Sequence, residues 1–162
     1  MKNVKPKKWS VAYKTADFIS IVTHSGYRGS AIEIGRAYCI VPATINERDL
    51  GIAAQECLGK SRFLSLEQIP DFFELGRLKR DHDLWIDELM QKHGFKTKRA
   101  LFKSMLSCNL TISDDVLTIE PTVHEKLEGW SGRGEEETIV LPADSSPGEV
   151  GAAIRAAFER CA

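Results

Sequence analysis

The sequence lacks several features that would assign it to a functional class at once. No apolar run approaches the ~18 residues that a membrane-spanning helix needs. The formal net charge is −1, whereas direct nucleic-acid binding usually needs a basic face. The basic N-terminus, residues 1–8, is not followed by the apolar stretch of a secretory signal. We therefore expect a cytoplasmic protein that binds neither membrane nor nucleic acid directly.

Residues suited to metal or redox chemistry are few and scattered. The four cysteines contain no C-x-x-C pair, and the four histidines contain no H-x-x-x-H spacing. Cys57 and Cys161 lie on or beside apolar helix faces, as reduced core cysteines of cytosolic proteins often do. We expect no metal site and no cofactor. The glycine-containing segment 24–29 lacks a phosphate-loop pattern, and we expect it to be a loop between two strands.

One stretch of the chain recurs 100 positions later. Ile40–Ala43 aligns without gaps with Val140–Ala143, and Gly51 aligns with Gly151. The apolar residues that follow have the spacing of one helix face, and a capping-box pattern begins at Ser146. The repeat predicts two strand–turn–helix units. They indicate either an internal duplication or two similar units of separate origin.

Other strands and helices are predicted from alternation, helical spacing and turn residues. We expect strands at 16–22 and 36–41, helices at 47–60 and 81–93, a helix capped by Thr97, a β-hairpin at 107–119 and the second repeat unit from 138 onward. Short hairpin-linked strands with grouped helices favour an α+β fold, in which a mostly antiparallel sheet packs against helices. The length suits a single domain over residues 1–162.

The composition of segment 124–137 is the hardest in the chain to explain by folding requirements alone. It contains five glutamates, Glu125, Glu128, Glu135, Glu136 and Glu137. Trp130 lies among glycine and polar residues of the same segment. It either anchors the segment in the core or belongs to a recognition surface. The acids either form a solvated loop or create a negative field that steers a basic partner.

Several stretches, taken in order, resemble a known family: Leu58–Arg62, Gly94–Lys103, His124–Trp130, Leu141–Pro147 and the helix start Gly151–Ala153. They resemble the contact-dependent growth inhibition (CDI) immunity proteins of Gram-negative bacteria. The resemblance implies a cytoplasmic protein that is not an enzyme and has neither catalytic residues nor a cofactor. It also implies a partner, the C-terminal toxin domain of a large secreted effector delivered by a neighbouring cell. Many such toxins are nucleases, often RNases.

A nuclease holds phosphates in a basic cleft, and acidic side chains can occupy such a cleft in their place. We therefore predict that the five glutamates of segment 124–137 contact the toxin, with Trp130 as a candidate anchor. Two alternatives stay open. One is a generic interaction or adaptor module, and the other is a small hydrolase that uses His24 or His124.

Overall fold

The computed structural model describes residues 4–162, in which eight strands and five helices form. Residues 1–3, the start of the basic N-terminus, lie outside the described residues. The strands are β1 (Lys8–Lys14), β2 (Phe18–Gly26), β3 (Ser30–Ile32), β4 (Tyr38–Pro42), β5 (Leu106–Ser113), β6 (Val116–Lys126), β7 (Gly129–Gly132) and β8 (Ile139–Pro142). The helices are α1 (Glu47–Gly59), α2 (Ile69–Phe72), α3 (Leu75–His93), α4 (Lys98–Phe102) and α5 (Pro147–Glu159).

The strands pair antiparallel in the order β3-β2-β1-β5-β6-β7. β4 pairs with β2, and β8 pairs with β6, so the sheet branches on each side of its centre. One hairpin joins β1 to β2, and another joins β5 to β6. The β5–β6 hairpin reverses direction at Asp114 and Asp115, both of which have positive φ. The predicted α+β fold with a mostly antiparallel sheet packed against helices is confirmed.

The sheet consists of two similar halves that meet at the pair β1–β5. Each half contains a hairpin, a third strand and a helix: β1, β2, β4 and α1 in the first, β5, β6, β8 and α5 in the second. The β1–β5 register is centred on Val11 and Asn109. Pro42 pairs with the first residue of β2, and Pro142 pairs with the first residue of β6. The correspondence therefore extends beyond the sequence repeat to these four elements of each half.

The helices α1 and α5 pack against each other through equivalent glycines. A Cβ atom at Gly51 would lie 1.7 Å from the carbonyl oxygen of Pro147. A Cβ atom at Gly151 would lie 1.7 Å from the carbonyl oxygen of Glu47. Each glycine therefore meets the first residue of the opposite helix, and this close approach of two backbones requires residues without a side chain.

Polar contacts repeat across the same pair of helices. Gln55 donates from Nε2 to the carbonyl oxygen of Ser145 at 3.0 Å. The equivalent residue of α5, Arg155, donates to the carbonyl oxygen of Ile45. Each helix thus binds the turn that precedes the other. The predicted capping box is present at Ser146, the residue that caps α5.

Two hydrophobic cores lie on opposite faces of the sheet, because successive strand residues point to opposite sides. The first core lies between the sheet and the helices α1 and α5; its members include Ile19, Ile21, Leu50, Leu58, Leu110, Leu117, Ile119, Val150, Ile154 and Phe158. The second core lies between the other face and the helices α3 and α4; it contains Phe18, Val22, Trp85, Ile86, Leu89, Leu101, Phe102 and Met105.

Several local features differ from the sequence prediction, which lacks the short strands β3 and β7 and ends the β5–β6 hairpin at residue 119 and not at Lys126. Strand β1 is absent from the prediction, although its residues alternate between the two faces. Strand β2 continues to Gly26, into the predicted loop 24–29, because His24 still pairs with Trp9. Helix α3 begins at Leu75 and not at residue 81, because the Glu74 carboxylate accepts hydrogen bonds from two N–H groups of the first turn.

A buried carboxylate holds the segment after β3 in place. Glu33 is 7% exposed and accepts hydrogen bonds from Ser25 Oγ at 2.9 Å, from the Ile34 N–H and from the Arg62 guanidinium. Burial on its own would raise the pKa of Glu33. The hydrogen bonds from Arg62, Ile34 and Ser25 outweigh that effect and hold the pKa below its usual value of 4.5.

We expect Glu33→Gln to lower the free energy of unfolding by about 1–3 kcal/mol near neutral pH. Because the folded pKa lies below the unfolded one, the carboxylate stabilises the fold fully above the unfolded pKa, and this stabilisation is lost as the pH falls through the folded pKa. Urea titrations of both proteins from about pH 7 to about pH 3 measure the difference. A difference that stays constant over this range would contradict the assigned ion pair.

Candidate functional site

One face of the second half of the sheet is left open. In the first half α3 lies over this face, where Trp85 donates from Nε1 to Ser20 Oγ at 2.9 Å and Phe18 is fully buried. In the second half, Val116 occupies the position of Phe18, and Thr118 that of Ser20. Within residues 4–162 the second half has no counterpart of α3, and Val116 is 37% exposed.

We call this surface the open face, and it consists of Asn109, Thr111, Val116, Thr118, Glu120 and Val140. Cross-strand pairing places Thr118 between Thr111 and Val140, so the side chains are adjacent. Val140 is 63% exposed. Polar groups with apolar residues at the edge, on a rigid sheet, suit contact with another protein.

A cleft of about 370 Å³ adjoins the open face on the side of β1; it is lined by residues that include Trp9, His24, Ser30, Asn109, Thr111 and Glu120. Burial lowers the pKa of His24 to about 4, with a smaller contribution from His82, so its imidazole is neutral near pH ~7. His24 Nδ1 lies 3.3 Å from Ser30 Oγ. Within residues 4–162, no carboxylate hydrogen-bonds this ring, so the arrangement lacks the group that orients a general base.

The five predicted glutamates do not form a single acidic field. The hairpin of β6 and β7 carries two of them at its tip. Glu125 shares a shallow depression with Arg99 and Lys103, and Glu128 lies 3.5 Å from His82. Glu125 therefore lies beside two cationic side chains, which weaken its field, and Glu128 lies beside an imidazole ring.

The other three glutamates lie beyond β7, where the chain borders the open face. Gly134 donates its N–H to Glu120 Oε2 at 3.2 Å, which ties this turn to β6. Glu137 lies 3.9 Å from the Arg133 guanidinium, whereas Glu135 and Glu136 are exposed. We call Glu120, Glu135 and Glu136 the acidic rim.

Glu120 is missing from the sequence-predicted site. The sequence feature that could have identified Glu120 is its spacing: it lies two residues after Thr118, on the face of the strand opposite the buried Ile119. On its own, this spacing identifies the face of the strand but does not show that the face is open. The openness follows only from the absence of a second α3 within residues 4–162.

Trp130 packs against the second core. Its Nε1 donates to the carbonyl oxygen of Met105 at 3.0 Å, and its ring lies 5.5 Å from that of Tyr13 and 6.1 Å from that of Phe102. The His124 ring stacks on it at 4.7 Å. These contacts agree with an anchor in the core, the first of the two interpretations left open by the sequence. A direct toxin contact by Trp130 stays a prediction.

Convergent metal ligands are not found among residues 4–162: no group of three or more His, Cys, Asp or Glu side chains could hold an ion there. Over the same range, none of the helices combines the length and the apolar character that crossing a bilayer demands.

An exposed, partly acidic sheet face of this kind is typical of a domain that binds another protein. A family model described as "CDI immunity protein" matches residues 8–161. The chain therefore belongs to the CDI immunity protein family, as the resemblance implied. Members of this family are inhibitors and not enzymes.

Relatives and solved structures match the chain over its whole length. The immunity protein CdiI-YPIII of Yersinia pseudotuberculosis is 34% identical over 175 residues, which cover 99% of each protein. The structure of the CdiA-CT/CdiI toxin and immunity complex from Y. pseudotuberculosis matches with a TM-score of 0.89 and 32% identity, covering 99% of this chain and 100% of the other. Protein of unknown function NMB0488 from Neisseria meningitidis matches with a TM-score of 0.90 and 29% identity, covering 100% and 99%.

Proposed function

We propose that this chain binds and neutralises the C-terminal toxin domain of a cognate CDI effector, and that this toxin is a nuclease. The observation that carries the proposal is the full-length match to a CdiI chain whose structure was solved as a toxin and immunity complex. We also propose that it acts in the cytoplasm. All four cysteines are free, as is usual in a reducing compartment.

The open face and the acidic rim are the proposed toxin-binding surface. A nuclease must hold phosphates with basic groups, and carboxylates on a rigid sheet can occupy the same groups and exclude the substrate. Inhibition with a dissociation constant of ~1 nM corresponds to about −12 kcal/mol. An interface of about 1,600 Å² can supply that energy if a few central contacts dominate.

The nuclease proposal is tested with the toxin domain encoded beside this chain. We expect the purified domain to degrade RNA or DNA, and we expect an equimolar amount of this chain to stop the reaction. If the toxin binds this chain but leaves nucleic acids intact, the nuclease assignment is wrong and the immunity function stands. If the two proteins do not bind, the pairing itself is wrong.

The acidic rim is tested by the double variant Glu135→Lys/Glu136→Lys. We expect its association rate with the toxin to fall at least about 10-fold at low salt, and the deficit to shrink as salt screens the charges. The matched control, Glu56→Lys/Glu67→Lys, changes the net charge equally at exposed sites elsewhere. Equal association rates for the two double variants would remove the rim from the interface.

A further inference from the structure

Two cysteines from distant parts of the chain meet beneath helix α5. Cys108 lies on β5 and is fully buried, whereas Cys161 follows α5 and is partly exposed. Their sulfur atoms lie 3.8 Å apart. The pair lies on the face of the sheet that carries the first core, opposite the open face.

Backbone hydrogen bonds on both sides of Cys161 fix its position. The Cys161 N–H donates to the carbonyl oxygen of Phe158 at 3.2 Å, and the next residue, Ala162, donates its N–H to Thr122 O at 3.0 Å. Ala162 O in turn accepts from the His124 N–H at 2.9 Å. The two sulfur atoms are therefore held together by a strand on one side and an anchored helix end on the other, which favours a reaction between them.

We propose that Cys108 and Cys161 form a reversible disulfide when the protein meets a low-molecular-weight disulfide such as oxidised glutathione. A disulfide needs sulfur atoms that can approach to about 2.05 Å from neighbouring backbones. At 3.8 Å the two sulfur atoms are in contact, and bond formation requires them to approach further.

The two sulfur atoms differ in the way that thiol–disulfide exchange requires. The hydrogen bond from the Cys108 thiol lowers the pKa of Cys161, and burial opposes this effect. The same hydrogen bond raises the pKa of Cys108, as does burial. The partly exposed Cys161 is thus the attacking group, and the buried Cys108 is the resolving group. The Arg133 guanidinium, which donates to Arg160 O at 2.6 Å, adds positive charge beside Cys161.

The exchange proceeds in two balanced steps. The Cys161 thiolate attacks one sulfur of oxidised glutathione, forms a mixed disulfide and releases one glutathione thiolate. Cys108 then loses its proton and attacks the Cys161 sulfur, which releases the second glutathione. The protein loses two hydrogen atoms and is oxidised, while one oxidised glutathione becomes two reduced molecules.

The test equilibrates the full chain with oxidised and reduced glutathione, then alkylates free thiols under denaturing conditions and maps the peptides without reduction. We expect one linkage between the peptides of Cys108 and Cys161, and a melting temperature about 5–10 °C higher that reductant returns to its starting value. In Cys161→Ser, Cys108 should stay alkylatable at every glutathione ratio. In Cys108→Ser, we expect Cys161 to stop at the mixed disulfide with glutathione.

Two outcomes would overturn the proposal. The first is that Cys108 of the wild-type protein stays alkylatable at all glutathione ratios. This outcome includes a protein in which Cys161 carries glutathione but Cys108 never displaces it. The other is a linkage that joins Cys39 or Cys57 in place of this pair. Since Cys161→Ser changes only a partly exposed residue, its result remains interpretable if Cys108→Ser does not fold.

Discussion

Replacing Gly51 with alanine is expected to lower the free energy of unfolding by more than about 3 kcal/mol, or to prevent folding. The new Cβ would lie 1.7 Å from Pro147 O, a backbone atom that cannot rotate away. Helices α1 and α5 would have to separate, which would open the first core. Gly151→Ala should behave in the same way, because its Cβ would meet Glu47 O at 1.7 Å.

The matched control for both variants is Gly148→Ala. Gly148 lies in the first turn of α5, and a Cβ there meets no atom within 4 Å. Alanine at this position should leave stability unchanged or raise it by about 0.5–1 kcal/mol. Urea melts of the three variants make the comparison. If Gly51→Ala and Gly148→Ala unfold at the same urea concentration, the helices do not meet through these glycines.

Placing arginine on the open face is expected to weaken toxin binding at least about 100-fold. Val140→Arg adds a long cation at a position that is 63% exposed, so the fold should lose less than about 1 kcal/mol. The side chain would both obstruct the face and repel a basic cleft. Calorimetric titration with the toxin domain measures the affinity.

Leu66→Arg is the matched control for this variant. Leu66 is 69% exposed and lies in the segment between α1 and α2, which is not part of the open face. Its replacement should change toxin affinity by less than about 2-fold. Equal losses for the two variants would show a non-specific effect of the added charge, and no loss at Val140 would remove the open face from the interface.

Local signals in the sequence predicted the units of the fold well. The capping box at Ser146, the prolines that end β4 and β8 and the polar turn between β5 and β6 all act over a few residues. Strand β1 and the end of β2 were missed because they depend on each other: Trp9 and His24 are paired across the hairpin. Such pairing is set by the register of two strands and not by the composition of either one.

The candidate site was harder to predict because it depends on what is missing from one half. In the sequence, Val116 and Thr118 do not differ from other strand residues. They are recognised as uncovered only by comparison with their counterparts in the first half, which helix α3 covers. The prediction selected the glutamates of segment 124–137 because of the composition of that segment. It could not show that β7 separates them, or that Glu120 joins Glu135 and Glu136 from a neighbouring strand.

The most direct test is hydrogen–deuterium exchange of this chain with and without its cognate toxin domain. If the toxin docks on the open face, amides of the edge strand β8 and of residues 133–138 should exchange at least about 10-fold more slowly in the complex. The amides of α3 should exchange as in the free chain. Slowed exchange confined to α3 or to the outer surface of α1, with β8 and residues 133–138 unchanged, would contradict the account.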